Sequence, residues 1–173
     1  MKSIISRTVG VLAVFVTISF SLPAIARAQA FSFSPDSRFI LPASSGKELL
    51  TQCSRQVPTA VVEYWQPSAS EIAEVESSLE TYLVSREKEG KAIPPKGSGY
   101  RRQYVGFVAR VGANHKTERF IYGNFYPYTL PEAELKSESS RPVMVCDGGP
   151  AFWGIVYRLS TKTFEQIAFN GRA

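Results

Sequence analysis

Residues 68–90 read SASEIAEVESSLETYLVSREKEG, and residues 100–111 read YRRQYVGFVARV. The change of period between these two stretches decides the fold. In the first, Ile72, Val75, Leu79, Tyr82, Leu83 and Arg86 recur at spacings of three and four, which places one stripe on a core. Ser68-x-x-Glu71 is a capping box: the serine accepts from the third backbone N–H and the glutamate reaches back. Glu71, Glu74, Glu76, Glu80 and Glu87 are expected on the remaining, solvated face. Arg86 and Lys88 complement the negative end of the helix dipole, and Gly90 stops the helix. A helix is therefore expected from about Ala69 to Glu89.

In the second stretch the period is two. Val105, Phe107, Ala109 and Val111 share one face of a strand over Tyr100–Val111. Gly112-Ala113-Asn114-His115 is a turn, and Glu118–Tyr126 reads as the return strand of a hairpin. Phe152–Arg158 and Phe164–Phe169 are two further strands joined through Ser160-Thr161-Lys162. Pro142–Cys146 is apolar and β-branched and is expected to be a strand as well. Asp147-Gly148-Gly149-Pro150 after it is a strong turn signal.

Upstream the pattern is weaker. Val61–Trp65, bounded by Pro58 and Pro67, fits either a strand or a turn of helix. Gly46–Arg55 suits one or two helical turns with Leu49, Leu50 and Cys53 on one side. Phe31–Pro42 reads as an irregular lead-in, and Pro127–Pro142 as a polar connection.

Short links favour antiparallel neighbours, and a helix with one apolar stripe covers one sheet face. The expected class is α+β: one main amphipathic helix (about 69–89) on an antiparallel sheet of four to five strands. Its outline is cystatin-like or NTF2-like, an analogy that carries no activity.

The first thirty residues read as an export signal. Lys2 and Arg7 form a basic n-region, and Val9–Leu22 is a run of 14 residues without charge. Pro23 ends the run, and Ala28-Gln29-Ala30 supplies a small-x-small cleavage pattern. A spanning helix needs roughly 20 apolar residues, so cleavage is favoured over a retained anchor. The cut is expected after Ala30, with Ala28 and Ala26 as alternatives, and no membrane anchor remains afterwards. Residues 31–173 then form a single domain of 143 residues, long enough to bury a core. With 44% apolar residues, wholesale disorder is excluded.

Export changes the charge argument. The chain carries +5, but residues 1–30 hold Lys2, Arg7 and Arg27 and no acid, which leaves +2 for the remainder. Nothing there suggests nucleic acid, which needs clustered cations. The expected setting is periplasmic or secreted. In such an oxidising compartment Cys53 and Cys146 are expected to form one disulfide.

The C-terminal third carries a pattern: Cys146-Asp147-Gly148-Gly149, then Phe152-Trp153-Gly154, Tyr157, Phe164 and Phe169-Asn170-Gly171. With Arg102-Gln103-Tyr104-Val105-Gly106 and Ile121-Tyr122-Gly123-Asn124, it resembles a group of small, uncharacterised bacterial exported proteins. The resemblance implies a bacterial envelope or secreted setting. It brings no activity and no site.

Candidate chemistry is sparse. His115 is the single histidine and lies in a turn without a G-x-S-x-G nucleophile elbow nearby. Neither H-E-x-x-H nor EF-hand spacing is present, so no metal or other cofactor is expected. Paired carboxylates could hydrolyse a glycoside, with Glu118, Glu165 and Asp147 lying on or beside the sheet. Asp147-Gly148-Gly149 permits an anion-binding nest of backbone N–H groups, although a plain tight turn explains it more cheaply. Arg101, Arg102, Arg110, Lys116 and Arg119 could dock an acidic partner or simply guard a hairpin edge.

Aromatics are the remaining resource. By the period-two rule Trp153 and Tyr157 share one face of a strand, and Tyr122 lies on a neighbouring strand. Core packing under the helix explains most of them more cheaply, but one helix covers one face, so part of the other could be an exposed aromatic binding surface. The expected binding residues are Trp153, Tyr157, Tyr122, Asp147, Gly148 and Gly149. The expected function is a non-enzymatic exported module recognising an envelope protein or a cell-wall saccharide. A small carboxylate-dependent hydrolase and a structural envelope component are the alternatives.

Overall fold

A computed structural model describes residues 31, 33–97, 99–131 and 136–172. The export signal expected over residues 1–30 lies outside them. The strands are β1 (Arg38–Ile40), β2 (Val61–Trp65), β3 (Tyr100–Val111), β4 (Lys116–Pro127), β5 (Trp153–Arg158) and β6 (Thr163–Phe169). The helices are α1 (Gly46–Leu49) and α2 (Ala69–Lys88). The class agrees with the sequence reading, α+β, with the long helix and the β3–β4 hairpin where the periods place them, but two strands precede the long helix and the sheet has six strands rather than four to five.

The sheet runs β1-β3-β4-β5-β6, and β2 also pairs with β3. All pairs are antiparallel except β1 with β3. β1 lies beside Arg102–Tyr104 and β2 beside Gly106–Ala109, so two short strands share one edge of β3. The irregular lead-in expected over Phe31–Pro42 therefore contains a strand. Its parallel pairing depends on a long-range neighbour that local sequence does not announce.

Helix α2 begins with the capping box: Ser68 Oγ accepts from Glu71 N at 3.2 Å, and Ser68 N donates to Glu71 Oε2 at 2.8 Å. Ile72, Val75, Leu79 and Leu83 are wholly buried and pack with Tyr100, Tyr104, Ile121, Phe125, Trp153 and Ile155. Each such burial stabilises by about 1.5–3 kcal/mol. Glu76 departs from the expectation of a solvated face. It accepts from Arg102 Nε at 2.6 Å and Tyr104 Oη at 3.0 Å, and pairs with Arg38 at 3.1 Å. Arg102 is fully buried, so it belongs to the helix–sheet interface and not to a basic docking patch.

The opposite sheet face is also covered. Leu41, Leu49 and Leu50 pack on Val105, Phe107, Phe120, Tyr122 and Val156. The segment expected to be a strand at Pro142–Cys146 joins no sheet. Side chains replace its strand partners. Gln103 Oε1 accepts from Val143 N at 2.8 Å, Asn124 Nδ2 donates to Val143 O at 2.9 Å, and Asn170 donates to Val145 O. The Cys53–Cys146 disulfide, with Cα atoms 5.5 Å apart, ties this segment to the chain after α1.

Candidate functional site

The aromatic residues expected to form a binding surface are interior. Trp153 faces α2 and stacks on Phe125, with ring centroids 3.8 Å apart. Tyr157, on the same face, donates its hydroxyl to Glu74 Oε1 at 3.0 Å; burial and that carboxylate raise its pKa. Tyr122 lies on the other face, 1% exposed. The expected aromatic patch on the second face is thus corrected. Two loops and α1 cover that face, which counting helices alone did not anticipate.

Those loops are held by a polar network centred on Arg55. Its Nε donates to Tyr122 Oη at 3.0 Å and its Nη1 to Asn170 Oδ1 at 3.2 Å, while Nη2 donates to Asn124 Oδ1. Asn124 Nδ2 also donates to Gln103 Oε1 at 3.2 Å. Gln103 Nε2 donates to the carbonyls of Glu138 at 2.6 Å and Arg141 at 2.7 Å. Glu138 accepts from Arg101 Nε at 2.7 Å and Tyr126 Oη at 2.9 Å. Gln103, Tyr122, Asn124 and Asn170 come from the patterned segments 102–106, 121–124 and 169–171. In this fold that part of the pattern builds a buried clamp. Arg55 was missed by sequence reading, because nothing local marks a surface-type residue as interior.

Asp147, Gly148 and Gly149 sit in the same corner. Their φ angles alternate at 59°, −71° and 67°, the geometry of a backbone nest. Two of its donors are already used: Asp147 N donates to Ser54 Oγ at 3.1 Å and Gly149 N to Gly171 O at 2.8 Å. Chain segments occupy the position an external anion would need.

Of the acids considered for catalysis, Glu118 and Glu165 meet at one cation. Arg158 Nε lies 3.7 Å from Glu118 Oε2 and 3.2 Å from Glu165 Oε1. The Ser160 hydroxyl, donating at 2.7 Å, and then Arg158 hold Glu118 below its ordinary pKa. A general acid needs the opposite shift. His115 is exposed at the hairpin turn with φ 51°. Among the described residues no group of three His, Cys, Asp or Glu is placed to hold a metal ion.

Among the described residues, two of the grooves are lined by aromatic rings. One lies on the second sheet face, about 410 Å³, beneath the segment Gln56–Thr59. Its floor includes Phe107 and Phe120, stacked at 5.1 Å but only 1% and 4% exposed. The other lies between α2 and β6, about 530 Å³. Ser78, Thr81, Tyr82 and Ser85 line it from the helix, and Lys162, Thr163 and Phe164 from the sheet. Tyr82 stacks on Phe164 at 4.5 Å with planes 22° apart, and both rings stay half-buried. Lys162 Nζ bonds Glu74 Oε2 at 3.0 Å, which with the Tyr157 hydroxyl lowers the Glu74 pKa.

The second groove is the better candidate, because its rings retain surface for a ligand. The helical stripe contained Tyr82 and the strand contained Phe164, but their meeting 82 positions apart is a tertiary fact. No helix among the described residues is long and apolar enough to cross a membrane. Searches of family models, curated proteins and solved structures found no match for this chain.

Proposed function

We propose that this protein is an exported, non-enzymatic binding module that recognises an envelope protein or a cell-wall saccharide through the groove between α2 and β6. The observation that carries the reading is the half-exposed Tyr82–Phe164 stack, set in a groove rimmed by hydroxyl side chains. Aromatic faces beside hydroxyls suit ligands that are apolar on one side and polar on the other. The disulfide is compatible with an oxidising compartment, and the N-terminal sequence pattern supports export. Against the hydrolase alternative stands the pairing of Glu118 and Glu165 with a single arginine, which favours the ionised form of Glu118.

The test is cross-linked capture from envelope extract, including peptidoglycan fragments, with the oxidised protein purified after export as bait. A saturable partner is expected whose affinity falls at least tenfold in Tyr82→Ala and in Phe164→Ala variants that keep their disulfide and circular dichroism. Binding indifferent to both changes would remove the groove from the proposal. Mass measurement of the exported product reads the cleavage site in the same preparation.

A further inference from the structure

The two edges of the sheet are finished differently. On one side the edge of β3 is capped by β1, three residues long, and by β2, which carries Glu63 and an irregularity between Val61 and Glu63 and is bracketed by Pro58 and Pro67. Short strands, bulges, charges and prolines are the devices that keep an edge from pairing with another chain. On the other side β6 pairs only with β5, and its outer edge meets no further strand among the described residues. Its seven residues, TFEQIAF, contain no proline, lysine or arginine. One charge, Glu165, sits at a bulge opposite Val156 and Tyr157; Gln166–Phe169 beyond it pair in regular register. The open edge therefore presents unpaired backbone donors and acceptors beside the α2–β6 groove.

The charges around that groove are unbalanced. Glu74 is held by Lys162, and Glu89, bonded to Ser85 on the groove wall, is held by Lys91 at 2.6 Å. Arg86 remains. Its Nη1 donates to Tyr82 Oη at 3.4 Å and its Nε to the Ala92 carbonyl at 3.1 Å, with no carboxylate bonded to it among the described residues. Arg86 also acts electrostatically on Glu89, so the Arg86–Glu89–Lys91 cluster at this end of the groove holds two cations to one carboxylate.

We infer that the occupant of this groove is an extended, acidic segment of another polypeptide, added as a strand to β6. The inference rests on the binding-module reading above and names its partner class. An added strand satisfies the row of backbone groups, an apolar side chain of the segment enters at Tyr82 and Phe164, and a carboxylate meets Arg86. A saccharide matches the aromatic stack but leaves the strand edge unpaired.

The experiment uses the oxidised protein and a synthetic peptide of about eight residues, the length that spans β6, alternating valine with glutamate. Companion probes are the same peptide with lysine for glutamate, the same peptide with N-methylated backbone, and soluble peptidoglycan fragments. Amide hydrogen exchange and chemical shifts of residues 163–169, together with the ring signals of Tyr82, report on the site. The acidic peptide is expected to protect β6 amides, to bind at least tenfold more tightly than the lysine peptide, and to lose binding on N-methylation. Arg86→Gln is expected to abolish the preference for acid over lysine. Equal binding of the N-methylated peptide, or unprotected β6 amides, overturns strand addition. Peptidoglycan fragments that shift Tyr82 but leave the β6 amides exchanging also overturn it, while the binding-module reading stands. If no probe reaches Tyr82 or Phe164 and the captured partner ignores their substitution, strand addition falls and the groove is removed from the binding-module reading.

Discussion

Arg55 Nε and Tyr122 Oη meet at 3.0 Å directly above Gly154, where an added Cβ would lie 2.6 Å from the Tyr122 hydroxyl. One glycine on β5 thereby lets a cation from the disulfide loop reach the sheet. The same cation fixes Asn124 and Asn170, which in turn hold the carbonyls of Val143 and Val145. The corner is a connected unit, and its members should not be independently replaceable.

Arg55→Leu is therefore expected to destabilise by about 3 kcal/mol or more, because three buried acceptors lose one shared donor. Gly154→Ala is expected to destabilise by a similar route, through collision with Tyr122. Urea unfolding checks both. A loss below about 1 kcal/mol in Arg55→Leu would show that the network is not what holds the loops.

Cys53→Ser and Cys146→Ser should lose equal stability, and the double variant no more than either. The bridge closes a separation of 93 positions, for which chain entropy sets an upper value of about 4.5 kcal/mol. Thermal melts of the three variants, compared with the reduced wild type, make the measurement. Unequal losses would point to a role for one cysteine beyond the bond.

Stability should fall at both ends of the pH scale. Glu74, Glu89 and Glu118 have pKa values lowered from 4.5 by lysine and hydroxyl partners. Their contribution is present above pH 4.5 and disappears as pH drops through the lowered values. Tyr104, Tyr122, Tyr126 and Tyr157 are raised above 10.0, chiefly by burial. Their contribution is complete below pH 10.0 and is lost as pH rises toward the folded values. Tyrosinate absorbance of these four should appear together with unfolding. Ionisation of all four in a still-folded protein would contradict their burial.

Ser68→Ala should cost about 1 kcal/mol and Ser68→Asp much less, since aspartate also accepts from Glu71 N. Chemical denaturation of the pair reads the difference. Equal losses would mean that the serine contributes through something other than its cap.

What was legible in the residues was what short-range periodicity encodes. The capping box, the stripe Ile72–Leu83 and the alternation along β3 and β4 stand in the structure within one or two residues. What misled was local composition judged without partners. Pro142–Cys146 has strand composition, yet side-chain amides of Gln103, Asn124 and Asn170 take the bonds a neighbouring strand would make. Glu76 has the chemistry of a solvated helix position, yet Arg102 and Tyr104 draw it inward. The aromatic residues singled out for binding, Trp153, Tyr157 and Tyr122, are interior because both sheet faces are covered.

The sequence by itself determined the class of fold, the helix and its cap, the hairpin, and two cysteines suited to pair. These follow from spacing within about twenty residues, where backbone geometry makes a pattern unambiguous. Only the tertiary structure decided which surfaces stay open. The Tyr82–Phe164 groove, the unpaired edge of β6 and the Arg55 clamp each join positions far apart in the chain. Whether a side chain is a ligand contact or a core contact depends on which distant segment covers it, and periodicity carries no term for that.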